Sequence, residues 1–341
     1  MWKIIAKNTN KFYAMKEISK VKTYIDGNVE SLISEFNILK KLHYSLLSNL
    51  YYAYQDKENI FLILDYLPGG TLRSHLPESN TQKSIFSEIQ IKFLLSNIIL
   101  SLEYIHNNGI IHRDLKPENL LFDDEGYLHL TDFGISKIYY PEKSKILDIS
   151  GTPGYISPEM IRGEPQNFVS DFFAMGIVAY ELIFGKRPFE GNNKDEIAEN
   201  ILNKNINLNE ENMRKNFSID AADFVNRLLR KKNKQRLGSR GIEEIKSHKW
   251  LEDVDWTSVE YKNIDTKDIG IVKILNKYNG KNKDIDDIDF KSQIDRYNSI
   301  LNKINKENIF KNFYFKYNEN KKDDNSDDFV DNLNENDDYI Y

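Results

Sequence analysis

The fold of this chain is decided by residues 112–119, His-Arg-Asp-Leu-Lys-Pro-Glu-Asn, together with residues 132–134, Asp-Phe-Gly. The two stretches supply a carboxylate, an amine, an amide and a second carboxylate in a fixed order, namely Asp114, Lys116, Asn119 and Asp132. Carboxylate and amide oxygens suit Mg²⁺, and an amine beside a carboxylate suits a phosphate and a hydroxyl. A chance match would have to reproduce both strings in this order. The residues therefore indicate a site for a phosphorylated ligand and a divalent metal ion.

Composition restricts the class of protein. The chain has 341 residues, of which 40% are hydrophobic and 29% charged, enough to bury a full core in two lobes with a tail. Cysteine is absent, which excludes disulfides and thiolate metal sites and favours an intracellular, cytoplasmic protein. The N-terminal apolar stretch is too short for a signal peptide, and no apolar run reaches membrane-spanning length, so we expect no membrane span.

Charge is distributed unevenly along the chain. The net charge is −6, yet residues 318–341 contain nine acidic residues and two lysines, a net of −7 that leaves the rest near +1. A near-neutral body argues against a dedicated nucleic-acid surface, so we expect no nucleic-acid partner. The acidic end has few apolar residues, and we predict that it is disordered.

Hydrophobic periodicity predicts strands first and helices later. Alternation predicts strands over 2–7, 12–18, 50–55 and 60–66, and a hairpin over 120–122 and 127–130. Helical spacing predicts helices near 29–42, 88–107, 171–184 and 221–231. This order predicts an α+β protein with a small sheet-rich lobe and a larger helical lobe. Within the first helix, Glu35 falls in an apolar stripe, where an unpaired carboxylate is costly, so we expect it to be paired with Lys16.

The strings quoted above resemble those of the eukaryotic serine/threonine protein kinases, over roughly residues 1–251. The resemblance implies a bilobal protein kinase fold with a small antiparallel-sheet N-lobe and a larger helical C-lobe. It also implies phosphotransfer from ATP to a serine or threonine hydroxyl. We expect a catalytic domain over 1–251, a C-terminal tail over 252–317 and an acidic disordered tail over 318–341.

The N-lobe is expected to be truncated. Met1 falls where the family has the valine that covers adenine, and the preceding strand and Gly-rich phosphate loop are missing. The amides of that loop normally donate to the ATP phosphates, and each charge-assisted bond contributes about 1.5–3 kcal/mol. We expect one of two explanations. Either the recorded sequence begins after the true start of the protein, or the protein is a kinase with weakened activity. We favour the late start, because every later catalytic group is present.

The resemblance implies roles for the polar residues, with ATP and Mg²⁺ as cofactors. Asp114 would orient or accept the proton of the substrate hydroxyl, Lys116 would neutralise the migrating phosphate, and Thr152 would lie beside both. Lys16 would hold the α- and β-phosphates and pair with Glu35, and Leu64 would lie at the back of the adenine pocket. The residues expected to contact nucleotide or metal are Ala14, Lys16, Glu35, Leu64, Asp65, Leu67, Asn119 and Asp132, the metal ligands being Asn119 and Asp132.

The same resemblance implies supporting contacts. Asp171 would brace the backbone of the catalytic loop, and Glu159 would pair with Arg236. Relatives carry a phosphorylated threonine where this chain has Asp148, and a fixed aspartate facing Arg113 could supply part of that charge. An exposed loop aspartate without this role is the alternative.

Several features resemble the AGC group of kinases. They are Gly151-Thr152-Pro153-Gly154-Tyr155, Gln235-Arg236-Leu237-Gly238, and the aromatic stretch Phe310–Phe315, which in that group folds back onto the small lobe. Glu118 and Glu181 match positions that pair with an arginine two residues before the phosphoacceptor, whereas Thr71 replaces a glutamate for the arginine three residues before. We therefore expect protein substrates with basic residues N-terminal to the phosphoacceptor. We expect the requirement for arginine to be weaker three residues before the phosphoacceptor.

Two alternatives stand beside this interpretation. The first is a catalytically weakened, pseudokinase-like binding module, because the phosphate loop is absent. Stabilisation by nucleotide distinguishes the two, since a bound ligand adds to the free energy of unfolding. The second alternative is the calcium/calmodulin-regulated group, which is disfavoured because no EF-hand spacing or basic amphipathic helix follows residue 256.

Overall fold

The chain folds into two compact units. The computed structural model describes residues 1–77, 86–139, 146–275 and 294–318, without the side chains of 294–299. The smaller unit combines Met1–His43 and Ser48–Tyr66 with the described residues 294–318. The larger unit combines Tyr44–Leu47 with the described part of Leu67–Asn282. The sheet lies in the smaller unit and most helices in the larger, which confirms the α+β class and the predicted order of elements.

The strands of the described chain are β1 (Trp2–Ile5), β2 (Phe12–Ser19), β3 (Leu50–Gln55), β4 (Asn59–Asp65), β5 (Ile110–Ile111), β6 (Leu120–Phe122), β7 (Leu128–Leu130), β8 (Lys137–Ile138) and β9 (Phe315–Lys316). The α-helices are α1 (Lys20–Ile25), α2 (Val29–Lys41), α3 (Glu88–Asn107), α4 (Pro158–Ile161), α5 (Val169–Phe184), α6 (Lys194–Asn203), α7 (Ile219–Leu228), α8 (Glu243–Lys246), α9 (Trp256–Glu260), α10 (Ile271–Leu275) and α11 (Ile294–Lys306).

An antiparallel sheet of order β1-β2-β4-β3-β9 forms the smaller unit. Side chains alternate between the two faces of a strand. Tyr13 and Met15 of β2 therefore share a buried cluster with Phe61 and Ile63 of β4. Lys16 follows Met15 and is paired with Leu62 of β4. Lys16 therefore lies on the face of β2 opposite to that buried cluster.

Helix α2 places Glu35 among apolar neighbours. Its buried residues are Leu32, Glu35, Phe36, Ile38 and Leu39, as the helical spacing predicts. Helix α1, in contrast, was not predicted. It is short, and the hydroxyl of Ser19 accepts a hydrogen bond from the amide of Lys22 to cap its first turn. Six residues with a local cap carry too little periodicity to indicate a helix.

The larger unit is organised around α3 and α5. Helix α3 has the predicted limits, with a capping box between Ser87 and Gln90 at its start and Gly109 at a φ of 72° just beyond its end. Helix α5 is almost entirely buried. The β6–β7 hairpin, in the register Leu120↔Leu130, connects residues 112–119 to residues 132–134. The two strings of the sequence therefore emerge from neighbouring strand ends.

The residues after 251 divide between the two units. In the larger unit, Tyr127 donates a hydrogen bond to the carbonyl of Ile264, and Lys262 lies 2.6 Å from Asp123 of the β6–β7 turn. In the smaller unit, Phe310 and Phe313 are buried, and the ring of Phe313 stacks on Phe36 at 4.4 Å between centroids. The predicted acidic tail lies, beyond residue 318, outside the described residues. None of the described helices is long and apolar enough to cross a membrane.

Candidate active site

The predicted site residues divide between the two units. Ala14, Lys16, Glu35, Leu64 and Asp65 lie in the smaller unit; Leu67, Asp114, Lys116, Asn119, Asp132 and Thr152 lie in the larger one. Within the smaller unit, Lys16 and Glu35 form an ion pair with 2.6 Å between Nζ and Oε1. The Glu35 side chain is 9% exposed and that of Lys16 32%. A carboxylate so buried needs a partner, and Lys16 supplies it while keeping part of its ammonium accessible.

The end of β4 is rigidly held. Ala14 of β2 pairs with Leu64 of β4, which is buried. The carboxylate of Asp65 accepts hydrogen bonds from the backbone and side-chain amides of Asn49, at 3.0 and 2.8 Å, and from the Tyr51 hydroxyl at 2.8 Å. The backbone amide of Asp65 also donates to the Asn49 carbonyl at 3.1 Å. These bonds fix the strand end that leads into Leu67.

In the larger unit, four predicted residues meet through hydrogen bonds. Lys116 Nζ lies 2.6 Å from Asp114 Oδ2 and 2.6 Å from Thr152 Oγ1. The Thr152 hydroxyl donates to Asp114 Oδ1 at 2.7 Å, and the Asn119 amide donates to the Asp114 carbonyl and Oδ2 at 2.9 and 3.0 Å. Asp114 therefore has one oxygen facing Lys116 and Asn119 and the other facing Thr152. Such a network fixes the direction in which its carboxylate points.

The backbone under Asp114 is braced by a buried carboxylate. Asp171 accepts from the backbone amides of His112 and Arg113 at 2.9 and 2.8 Å, and its other contact is His106 Nε2 at 2.8 Å. Burial alone would raise the pKa of Asp171, but the hydrogen bonds and charge of His106 outweigh it and hold this pKa below its usual value. Arg113 has a φ of 71°, which is uncommon for a residue with a side chain. Asp171 thus stabilises a strained loop, as predicted.

Asp132 follows Thr131, a residue that is bonded to Asn119. The backbone amide of Thr131 donates to the Asn119 carbonyl at 2.9 Å, and Phe133 is buried against the ring of His112. Asp132 has a φ of 64°, and strained backbone of this kind concentrates at functional sites. It is exposed, and its Oδ1 accepts from the Gly134 amide at 3.3 Å. An amide oxygen and a carboxylate are ligands that suit Mg²⁺, which usually takes few protein ligands and completes its shell with phosphates and water.

No cluster of three or more acidic, histidine or cysteine side chains suited to a metal occurs within the described ranges.

Arg113 is held from the other side by residues 148–150. Its side chain is fully buried, and Nη2 lies 2.8 Å from Asp148 Oδ2 and 3.0 Å from the Asp148 carbonyl, with Ser150 Oγ also in contact. Burial would raise the pKa of Asp148, but the Arg113 guanidinium, with Lys137 at longer range, lowers it. The predicted facing of Asp148 and Arg113 is confirmed as a contact.

Glu159 and Arg236 form the predicted buried pair. Two contacts of 2.7 and 2.9 Å join the carboxylate to the guanidinium, and Ser170 adds a hydroxyl donor at 2.9 Å. Burial works against the charge of Glu159, but Arg236 lowers its pKa below the usual value. Both partners are nearly inaccessible, so breaking this pair would leave a buried charge.

Sequence reasoning missed Arg73. It lies in a 3₁₀ helix at Leu72–His75, and its guanidinium binds the two carboxylates that we expected to receive a substrate arginine. Arg73 Nε lies 2.8 Å from Glu118 Oε1, and Nη1 lies 2.7 Å from Glu181 Oε1. The only signal in the sequence was an arginine three positions after Gly70, with no partner nearby along the chain.

Comparison with known proteins identifies what these features share. The family described as "Protein kinase domain" matches residues 1–251. A probable serine/threonine-protein kinase of Dictyostelium discoideum is 35% identical over 264 residues, 77% of this chain and 56% of that protein. The serine/threonine-protein kinase sgk-1 of Caenorhabditis elegans is 36% identical over 258 residues, 75% of this chain and 54% of that protein.

A third relative is the cAMP-dependent protein kinase catalytic subunit of Dictyostelium discoideum, which is 35% identical over 247 residues, 72% of this chain and 36% of that protein. The chain spans about half the length of the curated relatives it matches, or less. The expected resemblance to serine/threonine protein kinases, AGC relatives among them, is confirmed.

Proposed function

Because this chain belongs to the protein kinase domain family, we propose that it is a serine/threonine protein kinase, which transfers the γ-phosphoryl group of ATP to a hydroxyl of a protein substrate. The observation that carries the proposal is the network of Asp114, Lys116, Asn119 and Thr152, built on a backbone that Asp171 braces. An oriented carboxylate next to an ammonium is what transfer to a hydroxyl requires.

Each residue of this network has a defined task in the proposal. Asp114 accepts or orients the proton of the incoming hydroxyl, because its carboxylate is fixed from two sides. Lys116 compensates the charge of the migrating group, and Thr152 holds the relative position of Asp114 and Lys116. Asn119 and Asp132 would bind Mg²⁺. When bound, that ion draws negative charge from the phosphates.

The smaller unit contributes the nucleotide contacts of the proposal. Lys16, oriented by Glu35, would bind the α- and β-phosphates. Ala14 and Leu64 would line the adenine pocket, since they are neighbours across β2 and β4. The amide of Asp65 is already bonded to Asn49, so its carbonyl and the amide of Leu67 would contact adenine.

The proposal includes an AGC-like kinase with protein substrates that carry basic residues N-terminal to the phosphoacceptor. Its support is the half-exposed carboxylate of Glu118, in the same loop as Lys116 and Asn119, together with the relatives of this group. Thr71 has no charge, so the requirement for a basic residue three positions before the phosphoacceptor is weaker in this proposal. A cytoplasmic location is part of the same proposal and is based on the lack of cysteine.

Phosphotransfer from radiolabelled ATP to a serine-containing peptide mixture tests the proposal. We expect Asp114→Asn to lower turnover by about 10²–10⁴-fold, the usual contribution of general acid–base groups. Asp132→Asn should also lower it, because a carboxylate ligand of the metal is lost. Asp124→Asn, at an exposed position of the β6–β7 turn, is the matched control and should leave turnover unchanged.

The midpoint of thermal unfolding separates the two functional interpretations. A kinase should be stabilised by Mg²⁺-ATP, and Asp132→Asn should reduce that stabilisation. A midpoint that Mg²⁺-ATP leaves unchanged would contradict the proposed enzyme and favour the binding module.

A further inference from the structure

Arg73 is held in place by the backbone around it. The hydroxyl of Thr71 caps the 3₁₀ helix by accepting from the Ser74 amide at 3.2 Å. His75 Nε2 lies 2.7 Å from the Gly69 carbonyl, and the His75 ring packs edge-on against Phe122 of β6. The direction of the Arg73 side chain is therefore set by a local frame attached to the β6–β7 hairpin.

The guanidinium of Arg73 uses most of its donors on three groups. Besides the contacts of Nε with Glu118 and of Nη1 with Glu181, Nη2 lies 3.2 Å from Glu181 Oε2 and 2.6 Å from the Tyr155 hydroxyl. The Tyr155 hydroxyl in turn donates to Glu181 Oε2 at 2.5 Å. Two parallel bonds between a guanidinium and a carboxylate are the strong, shape-specific arrangement for this pair.

Glu181 is saturated by these contacts. Its side chain is 6% exposed, and both oxygens accept hydrogen bonds from Arg73. Burial and the charge of Glu181 raise the pKa of Tyr155, so its hydroxyl keeps its proton and remains a donor. Although burial works against the charge of Arg73, its bonds to Glu181 raise its pKa further, so the guanidinium remains charged. An incoming cation would have to displace Arg73 to reach Glu181.

Glu118 is the part of this cluster that remains open. Its side chain is 43% exposed, and its contact with Arg73 involves Oε1 alone. Without Arg73, the two carboxylates would present a charge of −2 to a substrate cation; with Arg73, the charge is −1. Glu118 lies between Lys116 and Asn119 in the chain, so its open carboxylate belongs to the same loop as Asp114.

We propose that Arg73 occupies, from within the chain, the subsite that would otherwise bind an arginine of the substrate, so that this position of the substrate is selected only weakly. The inference rests on the proposed kinase function and defines its substrate class. The substrates are peptides whose basic residues contact Glu118 and not Glu181. Arg73 is thus a specificity-determining residue that suppresses selection for arginine.

The test uses the full chain and alanine-rich peptides with one serine, in which a single arginine is moved one position at a time. For the wild type, arginine two residues before the serine should improve kcat/KM by less than about threefold. In Arg73→Ala, arginine two residues before the serine should improve it by about tenfold or more, because a charge-assisted pair with Glu181 becomes available. A wild type that already gains tenfold, or an Arg73→Ala profile equal to that of the wild type, would overturn the inference.

Further variants separate specificity from folding. Arg73→Lys keeps the charge but loses the two-point contact, so its gain should lie between those of the wild type and Arg73→Ala. Arg73→Ala combined with Glu181→Gln should lose the gain, because the buried carboxylate is gone. A gain that persists in this double variant would contradict our assignment of the subsite.

Binding of peptides with alanine in place of serine, followed by fluorescence anisotropy, distinguishes this inference from the proposed function. If the wild type phosphorylates no peptide, the proposed enzyme fails, while the dependence of binding on arginine in Arg73→Ala still decides the role of Arg73. Equal binding of peptides with and without arginine by Arg73→Ala would refute it.

Discussion

Asp148 gives the buried side chain of Arg113 an anionic partner without covalent modification. The Arg113 side chain is fully buried, whereas that of Asp148 is 55% exposed. The neighbouring residue Asp114 is proposed to act on the substrate hydroxyl, and Arg113 itself has a left-handed φ of 71°. The position of one loop carboxylate therefore bears on the geometry of the candidate active site.

We expect Asp148→Ala to lower kcat for peptide phosphorylation by about threefold to tenfold. A charge-assisted hydrogen bond contributes about 1.5–3 kcal/mol, and the exposure of Asp148 reduces this contribution. Asp124→Ala, which removes an exposed carboxylate from the β6–β7 turn, is the control. Unchanged turnover in Asp148→Ala would show that Arg113 needs no anion, and Asp148→Asn would show how much of the effect is charge.

Contacts between two side chains could be predicted where both residues belong to sequence motifs. Lys16 with Glu35 and Glu159 with Arg236 could be predicted because the strings around them have fixed positions in the family. The contacts of Arg73 could not be predicted, because its partners lie 45 and 108 residues away. They depend on how helix α5 and two short 3₁₀ helices are placed relative to one another. A long flexible side chain leaves no periodic signal in the sequence.

At the scale of elements, the aromatic segment after α11 is attached to α2, the helix that carries Glu35. Phe313 stacks on Phe36, and Phe310 lies 6.0 Å from Phe313 between ring centroids. Gln55 of β3 donates to the Phe310 carbonyl at 2.9 Å, and β9 pairs with β3. The segment thus contacts both the sheet and the helix of the smaller unit.

Phe313→Ala should loosen α2. Truncation of a buried phenylalanine lowers the free energy of unfolding by about 3–5 kcal/mol. Phe313 is buried, so its truncation also removes the stacking that attaches the segment to Phe36. We expect faster amide hydrogen exchange in Val29–Lys41 and lower phosphotransfer, because Glu35 is less firmly held. Tyr314→Ala is the matched control, since Tyr314 is the next residue and 56% exposed. Equal exchange in the two variants would mean that the stacking does not stabilise α2.

The helices α2 and α3, with clear apolar spacing, were predicted well, whereas short or mostly polar elements were not. Helix α3 has the limits that its apolar spacing indicates, and α2 ends one residue before the predicted limit. Helices α1 and α4 and strand β9 were missed, because six, four and two residues cannot display a period. Helices α6 and α11, of 10 and 13 residues, were also missed, because both are rich in polar residues. Strand β9 forms only because β3 offers it a partner far away in the sequence.

At the scale of the whole molecule, Lys231 is a buried charge that lowers stability. Its Nζ is buried without a hydrogen-bond partner among the described residues, and it lies 3.9 Å from the centroid of the Phe189 ring. Burial, with repulsion from Arg236 and Arg162, lowers the pKa of Lys231 to about 7. The unfolded chain, with a pKa of 10.5, binds this proton more tightly, so Lys231 makes stability rise with pH between these two values.

Lys231→Met should therefore raise the midpoint of thermal unfolding most at about pH 6 to 7, where the folded protein must hold the charge. The gain should shrink as pH rises above about 7, where the folded protein releases the proton, and should be smallest above about 10.5, where both states have lost it. Lys232→Met, at the exposed neighbouring position, should show neither effect. A gain independent of pH would mean that Lys231 acts through packing and not through its charge.

The contact between Lys262 and the β6–β7 turn has a consequence for where the protein can be cut. Lys262 neutralises Asp123, which also contacts His129, and Tyr127 exchanges hydrogen bonds with Ile264. A fragment that ends at Leu251, where the family match ends, would lack Lys262 and Ile264. Asp123 would lose its lysine partner, and the hairpin between Asn119 and Asp132 would lose contacts that support it. We therefore expect a fragment that ends at Leu251 to be less stable than one that extends through Thr266, whose hydroxyl contacts the Glu125 carbonyl.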